Sequence, residues 1–208
     1  MSDLLTAWGY SIADTTALAD LLTIQDFNTI TANKYTGDSR IEPNIKAASQ
    51  AVRNYCGWHI YPSSTCKLST SFYDKRITRN GNMILIQLPA TFVTSVTAVR
   101  IGGETYNNFV IETNGILRLF GISEYFEPYT TLEVEYIAGL SDALVANLQE
   151  LVAHRVTHAL ASSAGIQSET AGGVSITYSA VWTNTARSTA LPSDNKEVLA
   201  PYRLMGVF

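Results

Sequence analysis

The chain has 208 residues, a length that suits one sizeable domain or a domain with an extension. Charged residues make up 15% of it, against about 25% in typical soluble domains, and neutral polar residues fill the difference. With 14 Lys and Arg against 18 Asp and Glu, the net charge of −4 argues against a protein whose main task is to grip nucleic acid, because neutralising phosphates requires clustered cations.

The N-terminal part of the chain is predicted to contain an arm and a short helix. Residues 1–22 have little periodicity, and we expect an N-terminal arm with some helix. Thr23, followed by Asp26, predicts the N-cap of a short helix that carries Phe27.

A longer helix is predicted next. Ser39 and Glu42 fit a capping box, and Pro43 falls in the first turn, where its missing N–H does little harm. Gly57 is well placed to end this helix. Between these limits apolar residues recur at helical spacing: Ile41, Ile45, Ala48, Val52 and Tyr55.

From Trp58 to Gly139 the hydrophobic period changes to two, which predicts about six short strands in an antiparallel sheet or small barrel. Asn114-Gly115 is the strongest hairpin signal, and Gly102-Gly103 is a second one. The predicted strands include alternating segments near Cys66–Phe72, Ile84–Leu88, 93–101, Phe109–Thr113, Ile116–Phe120 and Leu132–Ala138.

The last third begins with a long helix, predicted to be capped by Ser141 or Asp142 and to run to about Ser162 with an apolar stripe that begins at Leu144. Residues 162–191 are poor in charge and contain one strand-like run, at Val174, Ile176 and Tyr178. A short apolar helix after Pro192 is predicted to carry Val198, Leu199, Tyr202 and Leu204.

These elements predict an α+β fold: a helical core of two N-terminal helices and one long helix, an inserted antiparallel β sheet or small barrel, and an extended C-terminal segment. The predicted domains are an N-terminal arm at 1–22, a core at 23–162 (helices 23–57 and 141–162, β-rich insert 58–139), and an extended loop with a C-terminal docking tail at 163–208.

Catalytic signals are weak. His154 and His158 share a helix face, as a two-histidine metal site requires, but no neighbouring base or third ligand is evident. Ser141 follows a glycine at a strand-to-helix turn, but the second glycine of a nucleophile elbow is missing. Glu133 and Glu135 share one strand face, which is common on solvated strands. We therefore predict no enzyme, no catalytic residue, no bound metal and no cofactor.

One small basic cluster, Lys75, Arg76 and Arg79, is predicted near a hairpin tip that ends in Asn80-Gly81. It is a possible contact for DNA or an acidic partner, and a solvated loop is the plainer interpretation.

Two cysteines, Cys56 and Cys66, are too few for a disulfide scaffold, and both are expected to be reduced core residues. The first basic residue is Lys34, so a secretory signal is not indicated, and no apolar run is long enough to span a bilayer. We therefore expect synthesis in the cytoplasm and no membrane partner.

Three stretches in a fixed order resemble the head-to-tail connector, or adaptor, family of long-tailed phages. Phe92 and Ala143 depart from that pattern, because each stands where the family often has proline. The matching stretches are Leu22–Phe27 with Asp38–Ile41 and Asn54–Trp58; Leu88-Pro89 with Val93–Val99 and Gly102-Gly103; and Val134–Gly139, followed by the long helix and Gly172–Tyr178.

This resemblance implies a portal-binding head completion protein that forms a ring of about twelve copies in the virion neck, with a DNA channel and no sequence-specific DNA binding. A portal protein above and a stopper or tail-completion protein below are the implied partners. We expect the tail residues Val198, Leu199, Tyr202 and Leu204 to dock on the portal or a neighbour, and the run Val174, Ile176 and Tyr178 to form an inter-subunit strand. The alternatives are another neck or tail-completion protein of the virion and a small metal-dependent hydrolase.

Overall fold

Helices and short strands alternate along the chain in the computed structural model, which describes residues 3–122, 129–161, 168–171, 174–177 and 193–204. The helices are α1 (Ile24–Ile30), α2 (Ile41–Cys56), α3 (Ala146–Ala161) and α4 (Ser193–Leu199), and 3-10 turns cover Thr113–Gly115 and Ala200–Tyr202. The strands are β1 (Leu4–Leu5), β2 (Ser11–Ile12), β3 (Ser64–Ser71), β4 (Ile77–Asn80), β5 (Met83–Gln87), β6 (Val93–Ile101), β7 (Glu104–Thr105), β8 (Phe109–Ile111), β9 (Ile116–Phe120), β10 (Thr131–Ala138), β11 (Ser168–Ala171) and β12 (Val174–Thr177). The predicted α+β class is confirmed.

Contacts between residues divide the chain into two compact units. The first unit holds strands β1 to β10, and the second holds α1, α3, α4, β11, β12 and α2 up to Tyr55. The predicted division into arm, core and docking tail is a functional one and stays a prediction. The first unit is Met1–Ala19, Cys56–Ala143 and Tyr202–Phe208, and the second is Asp20–Tyr55 and Leu144–Pro201.

A six-stranded antiparallel sheet forms the larger part of the first unit, in the order β1-β2-β3-β10-β6-β7. Strand β10 has β3 on one side and β6 on the other. Its side chains alternate between buried and half-buried because successive residues of a strand face opposite sides. Val134 lies opposite Leu68 on β3 and Val99 on β6, and all three are buried. The period-two pattern in the sequence therefore aligns one apolar row across three strands.

A second antiparallel sheet of four strands, in the order β4-β5-β9-β8, belongs to the same unit. Its buried pairs are Ile84 with Leu119 and Ile86 with Leu117. Asn114 and Gly115 connect β8 to β9 with φ angles of 70° and 74°, the left-handed conformation that this dipeptide favours. The hairpin predicted there is confirmed, and so is strand 93–101.

The N-terminal segment differs from its prediction. Some helix was expected in residues 1–22, whereas the structure contains strands β1 and β2, which pair with each other and, through β2, with β3. The Thr6 N–H donates to the Tyr10 carbonyl at 3.0 Å and closes the turn between them. Tyr10 and Ile12 are buried, so this segment joins the sheet because it carries part of the core.

In the second unit, α1 begins as predicted. The Thr23 hydroxyl accepts the Asp26 N–H at 3.1 Å and donates to the Asp26 carboxylate at 2.6 Å. The predicted capping box of Ser39 and Glu42 is wrong, because α2 begins at Ile41 and the Asp38 carboxylate accepts the Arg40 N–H at 2.9 Å.

The start of α3 was also predicted wrongly. The helix begins at Ala146, and residues 142–144 form turns, so neither Ser141 nor Asp142 caps it. Asp142 instead accepts a hydrogen bond from the Tyr61 hydroxyl at 3.0 Å. Leu144, expected in the apolar stripe, is 59% exposed, and the buried stripe begins with Leu148.

Candidate functional site

The C-terminal segment, residues 193–204, carries the four predicted docking residues. Helix α4 belongs to the second unit, and Tyr202 and Leu204 belong to the first. The predicted short helix is present as α4, which the 3-10 turn Ala200–Tyr202 follows. Leu199 is fully buried, whereas Val198 is 48% exposed.

Tyr202 and Leu204 lie against the end of α2. The indole N–H of Trp58 donates to the Tyr202 carbonyl at 2.7 Å, and the Leu204 N–H donates to the Cys56 carbonyl at 2.9 Å. The Phe92 ring stacks on Trp58 at 6.1 Å and on Tyr202 at 5.7 Å between ring centroids. These contacts hold the end of the segment on its own chain.

The stretch from Asn54 to Trp58, one of those on which the resemblance rests, includes the end of α2. Gly57 has a φ of +80°, as expected of the residue that ends a helix. A Cβ atom built on Gly57 would lie 3.7 Å from the Leu204 Cβ. Gly57 therefore ends α2 and leaves room for Leu204, and Trp58 supplies the indole that binds Tyr202.

The run Val174, Ile176 and Tyr178 was the predicted inter-subunit strand. Residues 174–177 form β12, which pairs with β11 in an antiparallel hairpin in which Ala171 lies opposite Val174. Tyr178 lies outside the described residues. Within the described ranges no third strand joins β11 or β12, so each has one edge whose backbone groups the sheet does not pair.

The predicted basic cluster is spread over two elements. Lys75 and Arg76 lie in the turn between β3 and β4, and Arg79 lies on β4. The guanidinium of Arg76 binds the Asp74 carboxylate through two hydrogen bonds of 2.9 and 2.7 Å, and the Thr70 hydroxyl donates to the same carboxylate at 2.6 Å. Arg76 holds the pKa of Asp74 well below its usual range. Arg76 is thus engaged within the chain, while Lys75 and Arg79 are exposed.

Glu133 and Glu135 are not arranged as a catalytic pair. The Arg100 guanidinium lies 3.3 Å from the Glu135 carboxylate and 3.9 Å from that of Glu133. All three side chains are partly exposed on the outer face of the sheet. Lys67 on β3 pairs with Asp3, which precedes β1, at 3.1 Å. Acidic and basic side chains therefore neutralise one another on this face.

His154 and His158 do lie together on α3, with ring centroids 4.7 Å apart. Partial burial, and then the neighbouring His154, lower the pKa of His158 below its usual value. Among the described residues no group of three or more His, Cys, Asp or Glu side chains is arranged to hold a metal ion. Ser141 lies in the connection before α3, as noted above.

The third histidine has a role that sequence reasoning missed. His59 is fully buried, and its Nε2 donates to the Ala138 carbonyl at 3.0 Å, because a carbonyl oxygen can only accept. Its Nδ1 then accepts the Tyr10 hydroxyl at 2.7 Å, and that hydroxyl accepts the His59 backbone N–H at 3.0 Å. His59 therefore joins the N-terminal segment to β10.

Both cysteines are free and buried, as predicted. Burial raises the pKa of each thiol to about 12. In the described part of the chain, every helix is too short or too polar to cross a membrane.

A family model described as "Head completion protein" matches residues 20–205, which is nearly the whole chain. Among curated proteins, none matches the chain significantly.

Proposed function

The chain belongs to the head completion protein family, and we propose that copies of it form the adaptor ring between the portal and the tail of a bacteriophage. The family is a structural one, and the chain is a structural protein of the virion, located in the neck where head and tail join. It contacts other head and neck components there. The ring, its channel and the identity of each partner are the parts that we propose.

In this proposal about twelve copies form a closed ring, synthesised in the host cytoplasm and added to the head. The portal protein binds one side of the ring, and a stopper or tail-completion protein binds the other. DNA passes through the centre without sequence-specific binding. The net charge of −4 supports this role, because a mildly acidic wall lets a polyanion pass without adhering.

The observation that carries the proposal is the hairpin of β11 and β12. An isolated two-stranded hairpin is marginally stable in water. In the described ranges both of its outer edges lack a partner strand. A ring needs a heterologous contact, in which one surface of a copy meets a different surface of the next. An open strand edge meets this need, since backbone groups on the next copy complete it.

Portal docking is assigned to the exposed side of α4. Val198 is half-exposed there, whereas Leu199 is buried and Tyr202 and Leu204 are held by their own chain. We therefore assign the direct contact to Val198 alone.

The first test images the protein mixed with the portal protein of the same phage by negative-stain electron microscopy. We expect an added ring of density on one face of the portal. Binding to a tail tube but not to the portal would contradict the adaptor role and support the tail-completion alternative.

A backbone variant tests the ring contact. Ala171 and Val174 flank a two-residue connection, so they form a hydrogen-bonded pair, and the next pair, Thr170 and Ser175, does not. The Ser175 N–H therefore points away from β11. Ser175→Pro removes this outward donor and leaves the bonds between β11 and β12 in place. We expect it to abolish rings, and Ser175→Ala to form them normally; normal rings with Ser175→Pro would exclude β12 from the contact.

The portal contact has its own variant. Val198→Asp places a charge on the exposed side of α4, so the free protein should unfold at the same denaturant concentration as the wild type. We expect weaker portal binding in a pull-down, with Val198→Ala as the mild control. Unchanged portal binding by Val198→Asp would contradict the assignment.

A further inference from the structure

Strand β8 lies at the edge of the four-stranded sheet. In the described part of the chain it pairs with β9 on one side and with no strand on the other. It consists of Phe109, Val110 and Ile111, which carry no charge, and Val110 is 52% exposed. Natural sheets usually protect such an edge with charges, proline or a bulge.

The hydrogen-bond pattern of β8 shows which of its groups are available. The Glu112 N–H donates to the Ile116 carbonyl at 2.7 Å, and the Phe120 N–H donates to the Asn108 carbonyl at 3.0 Å. Bonded and non-bonded pairs alternate along antiparallel strands. Phe109 and Ile111 therefore direct their N–H and C=O groups away from β9.

The other sheet edges in the described residues are poorer acceptors. Strands β1 and β7 have two residues each, and β7 includes the exposed Glu104. Strand β4 is longer, but its exposed residues are polar or charged and include Arg79. Length and the absence of charge together single out β8.

We propose that β8 of one copy receives β12 of the neighbouring copy in the ring, an inference that rests on the function proposed above. Residues Val174–Thr177 are uncharged, like β8, whereas β11 carries Glu169. The outward backbone groups of β12 lie at Ser175 and Thr177, two residues apart, and those of β8 at Phe109 and Ile111 have the same spacing. The two strands therefore match in charge and in the spacing of their open groups.

This pairing also has the symmetry that a ring demands. The donor strand and the acceptor strand are different parts of the chain, and they belong to different compact units. Each copy gives β12 to one neighbour and receives β12 from the other, which is a heterologous contact that repeats around a ring.

Cysteine cross-linking tests the pairing. We would mix two differently tagged variants, Val110→Cys and Ile176→Cys, which lie opposite each other when the open groups of the two strands pair in antiparallel orientation. The variants would be assembled on the portal and treated with a short bis-maleimide. The native Cys56 and Cys66 are buried, and burial raises the pKa of both thiols to about 12, so they stay unreactive. Since paired strands lie about 4.8 Å apart, we expect a cross-linked dimer that carries both tags.

The matched control moves the acceptor cysteine to another edge. Thr105→Cys on β7 is also exposed, and it should give the mixed dimer with Ile176→Cys at least about tenfold more slowly. Equal rates from Thr105→Cys and Val110→Cys would overturn the assignment to β8.

A charge variant provides an independent readout. Val110→Lys changes an exposed side chain, so the free protein should fold, but lysine on an edge strand disfavours strand addition. We expect ring assembly to fall about tenfold or more, with Val110→Thr close to the wild type. Hydrogen exchange at the Phe109 and Ile111 amides should slow when wild-type rings form.

The outcomes separate this inference from the function on which it rests. Rings on the portal with neither the Val110 cross-link nor slower exchange at Phe109 and Ile111 would overturn the β8 pairing and leave the adaptor role standing. Failure of the wild-type protein to form rings on its portal would overturn both.

Discussion

The six-stranded sheet and the β11–β12 hairpin differ in how completely the backbone groups of their strands are hydrogen-bonded. Strand β10 has a partner on each side along its whole length, and its inward residues, such as Val134, are buried. Strand β12 has β11 on one side and, in the described ranges, no strand on the other. The sheet completes itself within one chain, whereas the hairpin has backbone groups left for a partner.

This difference separates two tasks in one sequence. Stability comes from regions such as β10, where burying an apolar side chain contributes about 1.5–3 kcal/mol. Assembly depends on regions that contribute little to the isolated molecule, because the same open edges that weaken a hairpin make it available to a neighbour.

The largest expected effect comes from equivalent truncations in the two regions. Leu132→Ala on β10 removes a fully buried side chain and should lower the free energy of unfolding by about 3 kcal/mol. Ile176→Ala lies in a two-stranded hairpin, which is marginally stable by itself, and should change it by less than about 0.5 kcal/mol in the free protein. Urea denaturation followed by circular dichroism measures both, and equal losses would remove the distinction between the regions.

A smaller effect tests how completely the first unit pairs its buried polar groups. Tyr10→Phe removes a hydroxyl that bonds both the N–H and the Nδ1 of His59, and it should lower the free energy of unfolding by about 2 kcal/mol. Tyr136→Phe removes a buried hydroxyl that has no hydrogen-bond partner among the described residues, so it should be neutral or stabilising by up to about 1 kcal/mol. The two rings are 6.4 Å apart, which makes them a matched pair. A loss of stability in Tyr136→Phe would reveal a partner for that hydroxyl.

A third prediction concerns pH. Because Arg76 and Thr70 hold the pKa of Asp74 below its usual value, the ionised carboxylate contributes stability above about pH 4, and this contribution is lost as the pH falls towards the folded-state pKa. Asp74→Asn should therefore cost about 1 kcal/mol at pH 7 and progressively less in acid. Unfolding curves at pH 7 and pH 3 measure this difference, and a cost that stays constant with pH would contradict the ion pair.

The smallest expected free energy is the one for local opening of the β11–β12 hairpin. We expect the β12 amides of the free protein to exchange hydrogen with a protection close to that of an unstructured chain, while the β10 amides report the global stability. In the portal-bound ring the β12 amides should become protected. Exchange followed by mass spectrometry makes the comparison, and strong protection of β12 in the free protein would show that the hairpin needs no partner.

Much of the fold was predictable wherever the local pattern was strong. The alternation over 93–101 gave a strand with the same bounds, and Asn114-Gly115 marked a hairpin because few other dipeptides adopt positive φ at both positions. The Thr23 cap was also predictable from a local pattern, since its partner Asp26 is three residues away.

The parts that sequence reasoning missed depend on distant contacts. Strands β1 and β2 have two residues each, too few to show alternation, and they form because Tyr10 meets His59, 49 residues away. Asp142 was expected to cap α3, but it is engaged by Tyr61, 81 residues earlier. The anchoring of Leu204 and Tyr202 on the end of α2 could not be seen either, because no local pattern pairs Trp58 with a carbonyl 144 residues later.

The burial of Cys56 and Cys66 has a consequence for the finished phage. A virion leaves the reducing interior of its host and persists in oxygenated surroundings, where an accessible thiolate would be oxidised or would join neighbouring subunits. Thiols that are shielded by the core and protonated at any ordinary pH avoid both fates, so Cys56 and Cys66 should stay reduced in the particle outside the cell.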